Sequence, residues 1–288
     1  MASPLQVDVY VAPPIPTVTG STDPAKTVWS PISITLIQGP MSAAVVDTPI
    51  TIDQTTALAD WIKKTAPGKK LTHLYITHAH GDHLFGAPVL QKRFPGLKIV
   101  ATAKVAEGVQ TQYAPALYDN LWAKYFPNGQ LPAEKPPAEP LPDSGEFEVD
   151  GHTLKGIDVE HSDCDASSIL HVPSLKLVVG GDVVYGDCYQ HLGQANTAEK
   201  RRSWLNALDL VDSLRPNIVV PGHKRASQVD GAYLVEATRK YILDFERELE
   251  AASGPEELEK RMKELYPQRW NEYILEWGCK ASFAARGQ

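Results

Sequence analysis

Three absences limit what this chain of 288 residues can be. It contains three cysteines, Cys164, Cys188 and Cys279, an odd and sparse set that gives no disulfide framework. None of its apolar runs approaches the roughly 20 residues that a membrane-spanning helix needs. It also lacks a long basic run, and its net charge of −7 is unsuited to binding phosphates. We therefore expect neither a membrane nor a nucleic-acid partner.

The N-terminus lacks the basic residue and apolar core of a secretory signal. Together with the small number of cysteines, this predicts a cytoplasmic protein. What remains is an ordinary globular composition, in which 43% of residues are hydrophobic and 22% are charged. A chain of this length can bury a large core, and we predict a single domain over residues 1–288.

The most informative segment is a cluster of histidines that directly follows an apolar run. Residues 74–77 predict a buried strand, and the next six residues, 78–83, read HAHGDH. Imidazole and carboxylate groups are ligands that Zn2+ prefers, and a glycine-containing turn lets neighbouring side chains converge. Polar clusters of this density are unusual after a core strand unless they bind a ligand. The segment therefore predicts a metal site.

Three later segments repeat the arrangement of an apolar run, a ligand-type residue and a turn. They supply His161, Asp182 and His223. Seven candidate ligands are too many for one tetrahedral metal and suit two metals that share a carboxylate. The candidates are His78, His80, Asp82, His83, His161, Asp182 and His223.

Taken in order, these motifs resemble those of the metallo-β-lactamase superfamily of hydrolases, whose pattern is HxHxDH, a His, a bridging Asp and a last His. The resemblance spans roughly residues 45–223, and it is specific as a set. It implies an α/β fold, the four-layer αββα sandwich, with a seam between its two halves in the proline-rich stretch 131–142. It also implies two metals bridged by Asp182, one held by His78, His80 and His161 and the other by Asp82, His83 and His223.

The bridging Asp182 distinguishes branches of that superfamily. The antibiotic-degrading lactamases lack an Asp at this motif, so the resemblance is closer to glyoxalase II, lactonases and other dinuclear branches. The expected cofactor is Zn2+, two ions per chain, with iron or manganese as alternatives. The expected partner is a small-molecule substrate, and the oligomeric state, including a homodimer, stays open.

The expected chemistry is attack of a metal-bound hydroxide on a carbonyl carbon. Two cations within about 4 Å of each other lower the pKa of a shared water from 15.7 toward roughly 7. Asp82 is a candidate for moving protons between water and leaving group, and Tyr185 is a candidate donor to the oxyanion. The predicted enzyme is therefore a dinuclear metal-dependent hydrolase.

An aromatic segment at 112–126 favours flat substrates, and residues 112–142 are predicted to cap the site. The same rings at helical spacing are also typical of core, so that alternative stays open. The preferred substrate is a small cyclic or aromatic ester or amide of lactone or lactam type. The rings are Tyr113, Tyr118, Trp122, Tyr125 and Phe126.

Other functions remain alternatives. A thioesterase or glyoxalase II-like hydrolase uses the same metals, and the resemblance also extends to a mononuclear iron persulfide dioxygenase. Phosphodiester cleavage usually requires extra positive charge around the phosphate. It is disfavoured because Lys224 and Arg225 are the only obvious basic candidates near a ligand motif. His191 follows Asp182 closely enough to line the pocket.

Hydrophobic periodicity predicts the remaining elements. Strands are predicted at 5–12, 28–38 and 97–101, with a further buried strand ending in Asp47. Helices are predicted at 55–64, from His83 to Phe94, and at 204–214, 234–250 and 256–266. An apolar, helical C-terminal tail around 270–277 is expected to pack on the body.

Overall fold

The structure is a computed structural model that describes residues 4–287. Its strands follow the alternating apolar segments of the sequence. They are β1 Gln6–Ala12, β2 Ile15–Pro16, β3 Val28–Trp29, β4 Ile32–Gln38, β5 Ser42–Val46, β6 Lys70–Tyr75, β7 Lys98–Ala101, β8 Glu139–Pro140, β9 Glu146–Val149, β10 His152–Asp158, β11 Ser168–Val172, β12 Leu177–Gly181 and β13 Ile218–Pro221.

The helices alternate with these strands in the first half of the chain and dominate its last third. Short 3-10 turns lie at Pro24–Lys26 and Pro173–Leu175, and a π-helical turn lies at Tyr118–Trp122. The helices are α1 Ile52–Thr65, α2 Gly81–Leu84, α3 Ala87–Arg93, α4 Ala103–Gln112, α5 Pro115–Leu117, α6 Ala123–Tyr125, α7 Ala198–Ser213, α8 Tyr233–Ala251, α9 Pro255–Leu265 and α10 Glu272–Arg286.

Two mixed sheets form the centre of the fold. The first has the order β1-β4-β5-β6-β7-β8, and the second has the order β13-β12-β11-β10-β9. Strands β5, β6, β7 and β8 are parallel neighbours, as are β12 and β13, whereas the other pairs in both sheets are antiparallel. Strand β8 is an edge strand of the first sheet, and the next strand in the chain, β9, is an edge strand of the second. The chain therefore passes from one sheet to the other near the end of the predicted seam at 131–142.

Alternate residues of each sheet face different layers. In β5, Ala43 and Val45 pack in a core with Leu58 of α1, whereas Ala44 and Val46 pack in a second core between the sheets. In β12, Val178 packs with helices α7 and α8 while its two neighbours in the strand face the other sheet. This period of two, repeated on both sheets, gives helix, sheet, sheet and helix layers. The predicted αββα sandwich is confirmed.

One predicted helix is wrong in its extent. The helix expected from His83 to Phe94 is split into α2 and α3, because the backbone N–H of Gly86 bonds to Thr48 Oγ1 at 3.0 Å at the break. The predicted helix at 204–214 begins earlier, at Ala198, where Thr197 caps it by accepting from the N–H of Lys200.

The C-terminal tail forms helix α10. Helix α10 packs against α9 and against the 3-10 turn Pro24–Lys26. Lys26 lies 2.7 Å from both Glu259 and Glu276, which ties the tail to the N-terminal part of the chain. Within residues 4–287, no helix is long and apolar enough to cross a bilayer.

Candidate metal centre

The polar residues of the site follow the carboxyl ends of parallel strands. Asp47 follows β5, and the histidine cluster 78–83 follows β6 in the first sheet. Asp182 and His223 follow β12 and β13 in the second sheet. Two backbone hydrogen bonds, Ala79 N–H to Ala166 O at 3.0 Å and Ser33 N–H to Gly222 O at 2.8 Å, hold the two halves together here. Carboxyl ends of parallel strands share one edge, which brings these side chains together.

One group of potential ligands consists of His78, His80 and Asp163, whose ligand atoms all lie within 4.8 Å of one another. Asp163 Oδ2 lies 2.7 Å from His80 Nδ1 and 3.6 Å from His78 Nε2. Asp163 is fully buried. This arrangement of two imidazoles and one carboxylate is a common metal-binding set.

A second group consists of Asp82, His83 and His223. Asp82 Oδ2 lies 3.6 Å from His223 Nε2 and 3.9 Å from His83 Nε2, and the two Nε2 atoms are 3.2 Å apart. Two imidazole nitrogens this close converge on the same point, which indicates a second ligand position.

Asp182 lies between the two groups. Its Oδ1 is 3.3 Å from His83 Nε2, and its Oδ2 is 3.3 Å from His223 Nε2 and 4.0 Å from His78 Nε2. One carboxylate therefore contacts histidines of both groups, which is the position expected of a bridging ligand.

Groups outside the ligand set lie beside the Nδ1 atoms of the second group. Asp47, held by the N–H and hydroxyl of Thr77, lies 3.1 Å from His83 Nδ1, and His223 Nδ1 lies 2.8 Å from the carbonyl of Pro31. When Nδ1 donates its proton to such an acceptor, Nε2 keeps a free lone pair for a metal. Sequence reasoning placed Asp47 at a strand end but gave it no role.

The structure keeps His161 outside both groups, although the resemblance implied that it holds the first metal. Its Nδ1 lies 2.6 Å from Asp165 Oδ1, and its Nε2 is buried without a hydrogen-bond partner in the described part of the chain. Asp163, which sequence reasoning missed, takes the third place beside His78 and His80. The available signal was the pair of carboxylates, Asp163 and Asp165, that follows His161 within four residues.

We expect Asp163→Ala to weaken metal binding by about tenfold or more, because it removes a carboxylate that contacts two ligand histidines. Asp165→Ala is the matched control, since its side chain lies in the same loop and is 80% exposed. Chelator competition with zinc measures both affinities. An equal or larger effect of Asp165→Ala would show that His161, which Asp165 contacts, is the ligand instead.

The electrostatics of the site favour a bound cation. Burial by itself raises the pKa of Asp163, but His78 and His80 outweigh it and lower that pKa below its usual range. Burial likewise opposes ionisation of Asp182, and the histidines around it lower its pKa well below normal. For His83, burial lowers the pKa, but Asp182 and the other neighbouring carboxylates raise it to about 10. The carboxylates are therefore held ionised by the positive charge of the histidines around them, and a divalent metal bound to the same side chains would supply that charge in place of the histidine protons.

The buried ligand atoms of the site face mainly one another. His78 Nε2 has no hydrogen-bond partner among residues 4–287, Asp163 Oδ2 lies 2.7 Å from His80 Nδ1, and Asp182 Oδ1 lies 3.3 Å from His83 Nε2. Buried imidazole and carboxylate atoms that converge in this way suit a shared ligand of positive charge. Imidazole and carboxylate donors in this number suit a divalent metal.

A cavity of about 610 Å³ opens beside both groups. His80, Asp82, Asp182 and His223 contribute to its wall, which places potential ligands and any bound substrate in contact. Most of its remaining wall is apolar or aromatic, and none of the described side chains that line it is Lys or Arg. The wall includes Trp29, Leu117, Leu121, Trp122, Tyr125, Tyr185, Tyr189, Ile274 and Trp277.

The two residues predicted to be catalytic, Asp82 and Tyr185, both line this cavity. The indole N–H of Trp29 donates to Asp82 Oδ2 at 2.9 Å, and the hydroxyl of Tyr185 donates to Asp182 Oδ2. Both therefore lie at the boundary between the ligand groups and the cavity.

The predicted aromatic segment divides into cavity and core. Trp122 and Tyr125 line the cavity, whereas Tyr113, Tyr118 and Phe126 pack in the core without lining it. The π-helical turn Tyr118–Trp122 accounts for part of this division, because it shifts residues off the regular helical faces. Sequence reasoning missed Trp29, Ile274 and Trp277, which come from distant parts of the chain.

Comparison with known proteins gives consistent results. The chain is 25% identical over 215 residues to a metallo-beta-lactamase type 2 of Bacteroides fragilis, a match that covers 74% of each chain. It is 37% identical over 79 residues to a hydroxyacylglutathione hydrolase of Stenotrophomonas maltophilia, covering 24% of this chain and 29% of that protein. It is 23% identical to an atrochrysone carboxyl ACP thioesterase of Aspergillus fumigatus, covering 74% of this chain and 42% of that one.

Solved structures show the same fold. A metallo-beta-lactamase family protein from Thermus thermophilus matches with a TM-score of 0.65 and 19% identity, over 97% of this chain and 94% of that one. A metallo-beta-lactamase from Pontibacter korlensis matches with a TM-score of 0.59 and 18% identity, over 85% and 97%. The model of the metallo-beta-lactamase superfamily matches residues 27–223, a span that contains both ligand groups. The chain therefore belongs to the metallo-β-lactamase superfamily and is a hydrolase with a His/Asp metal-binding site.

Proposed function

We propose that this chain is a dinuclear zinc hydrolase that opens small cyclic or aromatic esters or amides of lactone or lactam type. The observation that carries the proposal is the cavity, whose wall is largely apolar or aromatic and includes members of both ligand groups, His80 of the first and Asp82 and His223 of the second. Its volume of about 610 Å³ is in the range of sites for single small molecules.

The two ligand groups are the proposed metal sites. His78, His80 and Asp163 would hold one ion, Asp82, His83 and His223 the other, and Asp182 contacts histidines of both. Two bound cations would lower the pKa of a shared water toward roughly 7 and polarise a carbonyl oxygen.

Tyr185 is proposed to donate a hydrogen bond to a substrate oxygen. Burial raises the pKa of Tyr185 well above its usual value, and the charge of Asp182 raises it further. The hydroxyl therefore keeps its proton at neutral pH and acts as a donor. Its single proton is accepted by Asp182 Oδ2 in this structure. A metal ion bound by that carboxylate would leave the proton for an oxygen of the reacting group in the cavity that Tyr185 lines.

Asp82 is proposed to accept and return protons at the reacting centre. Although burial opposes ionisation, His83 and His223 lower the pKa of Asp82, so it is an acceptor at neutral pH. The indole of Trp29 fixes one of its oxygens at 2.9 Å. A carboxylate with a fixed orientation at the cavity wall is suited to general base catalysis.

The charge of the cavity argues against phosphodiesters. None of the side chains in its described wall is Lys or Arg, so a polyanionic substrate would find no cationic group from the protein. Lys224, which stands beside His223, is buried in an ion pair with Asp230 at 2.8 Å instead. An uncharged ring fits the apolar wall better.

Thioester hydrolysis is the second candidate. The observation that favours it is the match to a protein named a thioesterase, over 74% of this chain. A thioester presents the same carbonyl to the same ligand groups, so the two functions differ in what the cavity binds and not in the attack.

A hydrolysis screen tests the proposal. We expect the zinc-loaded protein to hydrolyse dihydrocoumarin or a β-lactam with a kcat/KM at least about tenfold higher than an S-acylglutathione thioester or bis(p-nitrophenyl) phosphate. Metal analysis of the same sample should find close to two zinc ions per chain. Preference for the thioester would support the second candidate, and turnover of the phosphodiester without any acyl substrate would contradict both.

Trp122→Ala is expected to raise KM for dihydrocoumarin about tenfold while changing the kinetics of p-nitrophenyl acetate much less. The indole lines the cavity and contacts the ring of Trp29, with 5.6 Å between centroids, so it touches the body of a substrate and not its carbonyl. Tyr118→Phe is the control, because Tyr118 lies in the same segment outside the cavity and would lose only its hydrogen bond to Pro132 O. Equal effects on both substrates would contradict the assigned contact.

A further inference from the structure

His191 is a buried histidine of the cavity wall that belongs to neither ligand group. It lies in the loop between β12 and α7, nine residues after Asp182. Its ring centroid is 5.2 Å from that of His80 and 4.7 Å from that of Trp277, in edge-on contacts. The ring therefore lies between the metal centre and helix α10, at the side of the cavity that would meet the body of a substrate.

Both ring nitrogens of His191 are buried, and neither has a hydrogen-bond partner within residues 4–287. The histidines of the motifs differ, because each of them has at least one ring nitrogen held by a protein group. These contacts are His78 with Thr77, His80 with Gln194, His83 with Asp47, His161 with Asp165 and His223 with Pro31.

This difference separates His191 from a metal ligand. A ligand histidine normally has its second nitrogen fixed by a carboxylate, a carbonyl or water, which His191 lacks among the described residues. Leaving a buried polar atom without a partner destabilises the fold, so a side chain with two such atoms requires a reason. A substrate that supplies the missing partner is such a reason.

We propose that His191 recognises the body of the substrate by a hydrogen bond, so that the preferred substrates carry a hydroxyl group away from the carbonyl that is attacked. This inference rests on the proposed lactone or lactam hydrolysis. An imidazole has at least one N–H in either charge state, so it requires a hydrogen-bond acceptor, which a hydroxyl oxygen provides. In the neutral imidazole the other nitrogen is an acceptor, and a hydroxyl can instead donate to it. Rotation about the terminal side-chain torsion, which is broad for His, turns a nitrogen toward the cavity.

The packing around His191 keeps the imidazole at this place in the cavity wall. A Cβ atom added at Gly193 would lie 2.9 Å from His191 Nε2 and 3.2 Å from Trp277. Glycine at position 193 therefore leaves the space that the imidazole occupies. Apolar residues such as Leu121 and Ile274 also line the cavity, alongside polar ones such as Asn120 and Asn271, so a hydrogen bond from His191 adds discrimination at its own place in the wall.

The test uses two matched series of probes. Dihydrocoumarins with one hydroxyl at each free ring position report hydrolysis, and the corresponding chromans, which lack the carbonyl, report binding by calorimetry. For the wild type we expect one hydroxylated isomer to exceed the unsubstituted ring about tenfold, in kcat/KM and in affinity. In His191→Phe, which keeps an aromatic ring but has no nitrogen, both ratios should fall to near one.

His171→Phe is the control, because His171 lies on strand β11 outside the cavity, and it should keep both wild-type ratios. Wild-type turnover of all dihydrocoumarins with no preference for a hydroxyl, or a preference that persists in His191→Phe, would overturn the inference while leaving the hydrolase function intact. If no dihydrocoumarin is hydrolysed, the proposed function fails, and the chroman affinities still decide whether His191 binds a hydroxyl.

Discussion

Asp182→Ala is expected to lower kcat/KM by at least about a hundredfold and to release metal from both sites. The carboxylate contacts His78 on one side and His83 and His223 on the other, at 3.3 to 4.0 Å. Its loss would leave two cations facing each other without a shared negative charge. Elemental analysis and steady-state kinetics on the same sample measure both effects. Asp182→Asn, which keeps the shape but not the charge, should show the same loss.

Two variants control for disturbance of the loops near the site. Cys164→Ala removes a buried thiol whose Sγ lies 3.3 Å from Ser167 Oγ, and it should cost only local packing. Asp187→Asn repeats the substitution of Asp by Asn in the loop after Asp182, where the carboxylate accepts from the N–H of Arg225 at 2.7 Å. If Cys164→Ala, still folded, lost as much turnover as Asp182→Ala, the role assigned to Asp182 would be wrong.

Removal of metal is expected to abolish hydrolysis, and about two equivalents of Zn2+ should restore it. Removal should also destabilise the fold, because Asp82, Asp163 and Asp182 would remain as buried negative charges without a metal partner. Zinc at a hundred times its dissociation constant contributes about 2.7 kcal/mol to the free energy of unfolding for each site. Thermal unfolding should therefore shift upward by about 5 °C or more on adding zinc.

Adding zinc or iron in steps to the metal-free protein distinguishes how many ions the enzyme needs and which metal it uses. Full activity at one equivalent of zinc would contradict the dinuclear site. Full activity with iron, and none with zinc at any ratio, would contradict zinc as the working metal. The double variant Lys240→Ala and Arg247→Ala, which removes two exposed cations that pair with the buried Asp244 on α8, is a control that should retain the zinc-dependent shift.

The metal site was predictable because most of its candidate ligands are close in sequence or follow recognisable strands. Four candidates lie within six residues, 78–83, and the side chains of a strand end and the turn after it have few directions available. The layers of the fold followed from the alternation of apolar residues, since a period of two determines which residues of β5 and β12 face each core. These features depend on local geometry.

The helix after His83 shows where local reasoning failed. Its apolar residues continue at helical spacing past Gly86, but the N–H of Gly86 bonds to Thr48, which is 38 residues away in the sequence. Asp163 was missed for a similar reason. Nothing within its own segment distinguishes Asp163 from Asp165, although the first is fully buried beside His78 and His80 and the second is largely exposed.

By itself, then, the sequence determined that this protein has a His/Asp metal site on a layered α/β fold, because ligand spacing and apolar periodicity are properties of short segments. Only the tertiary structure decided which carboxylate joins His78 and His80, which rings line the cavity and that His191 has no partner among the described residues. The cavity is built from Trp29, the 112–126 segment, the loop after Asp182 and helix α10. Contacts between segments so distant depend on how the sheets and helices pack against one another, and no local pattern encodes that packing.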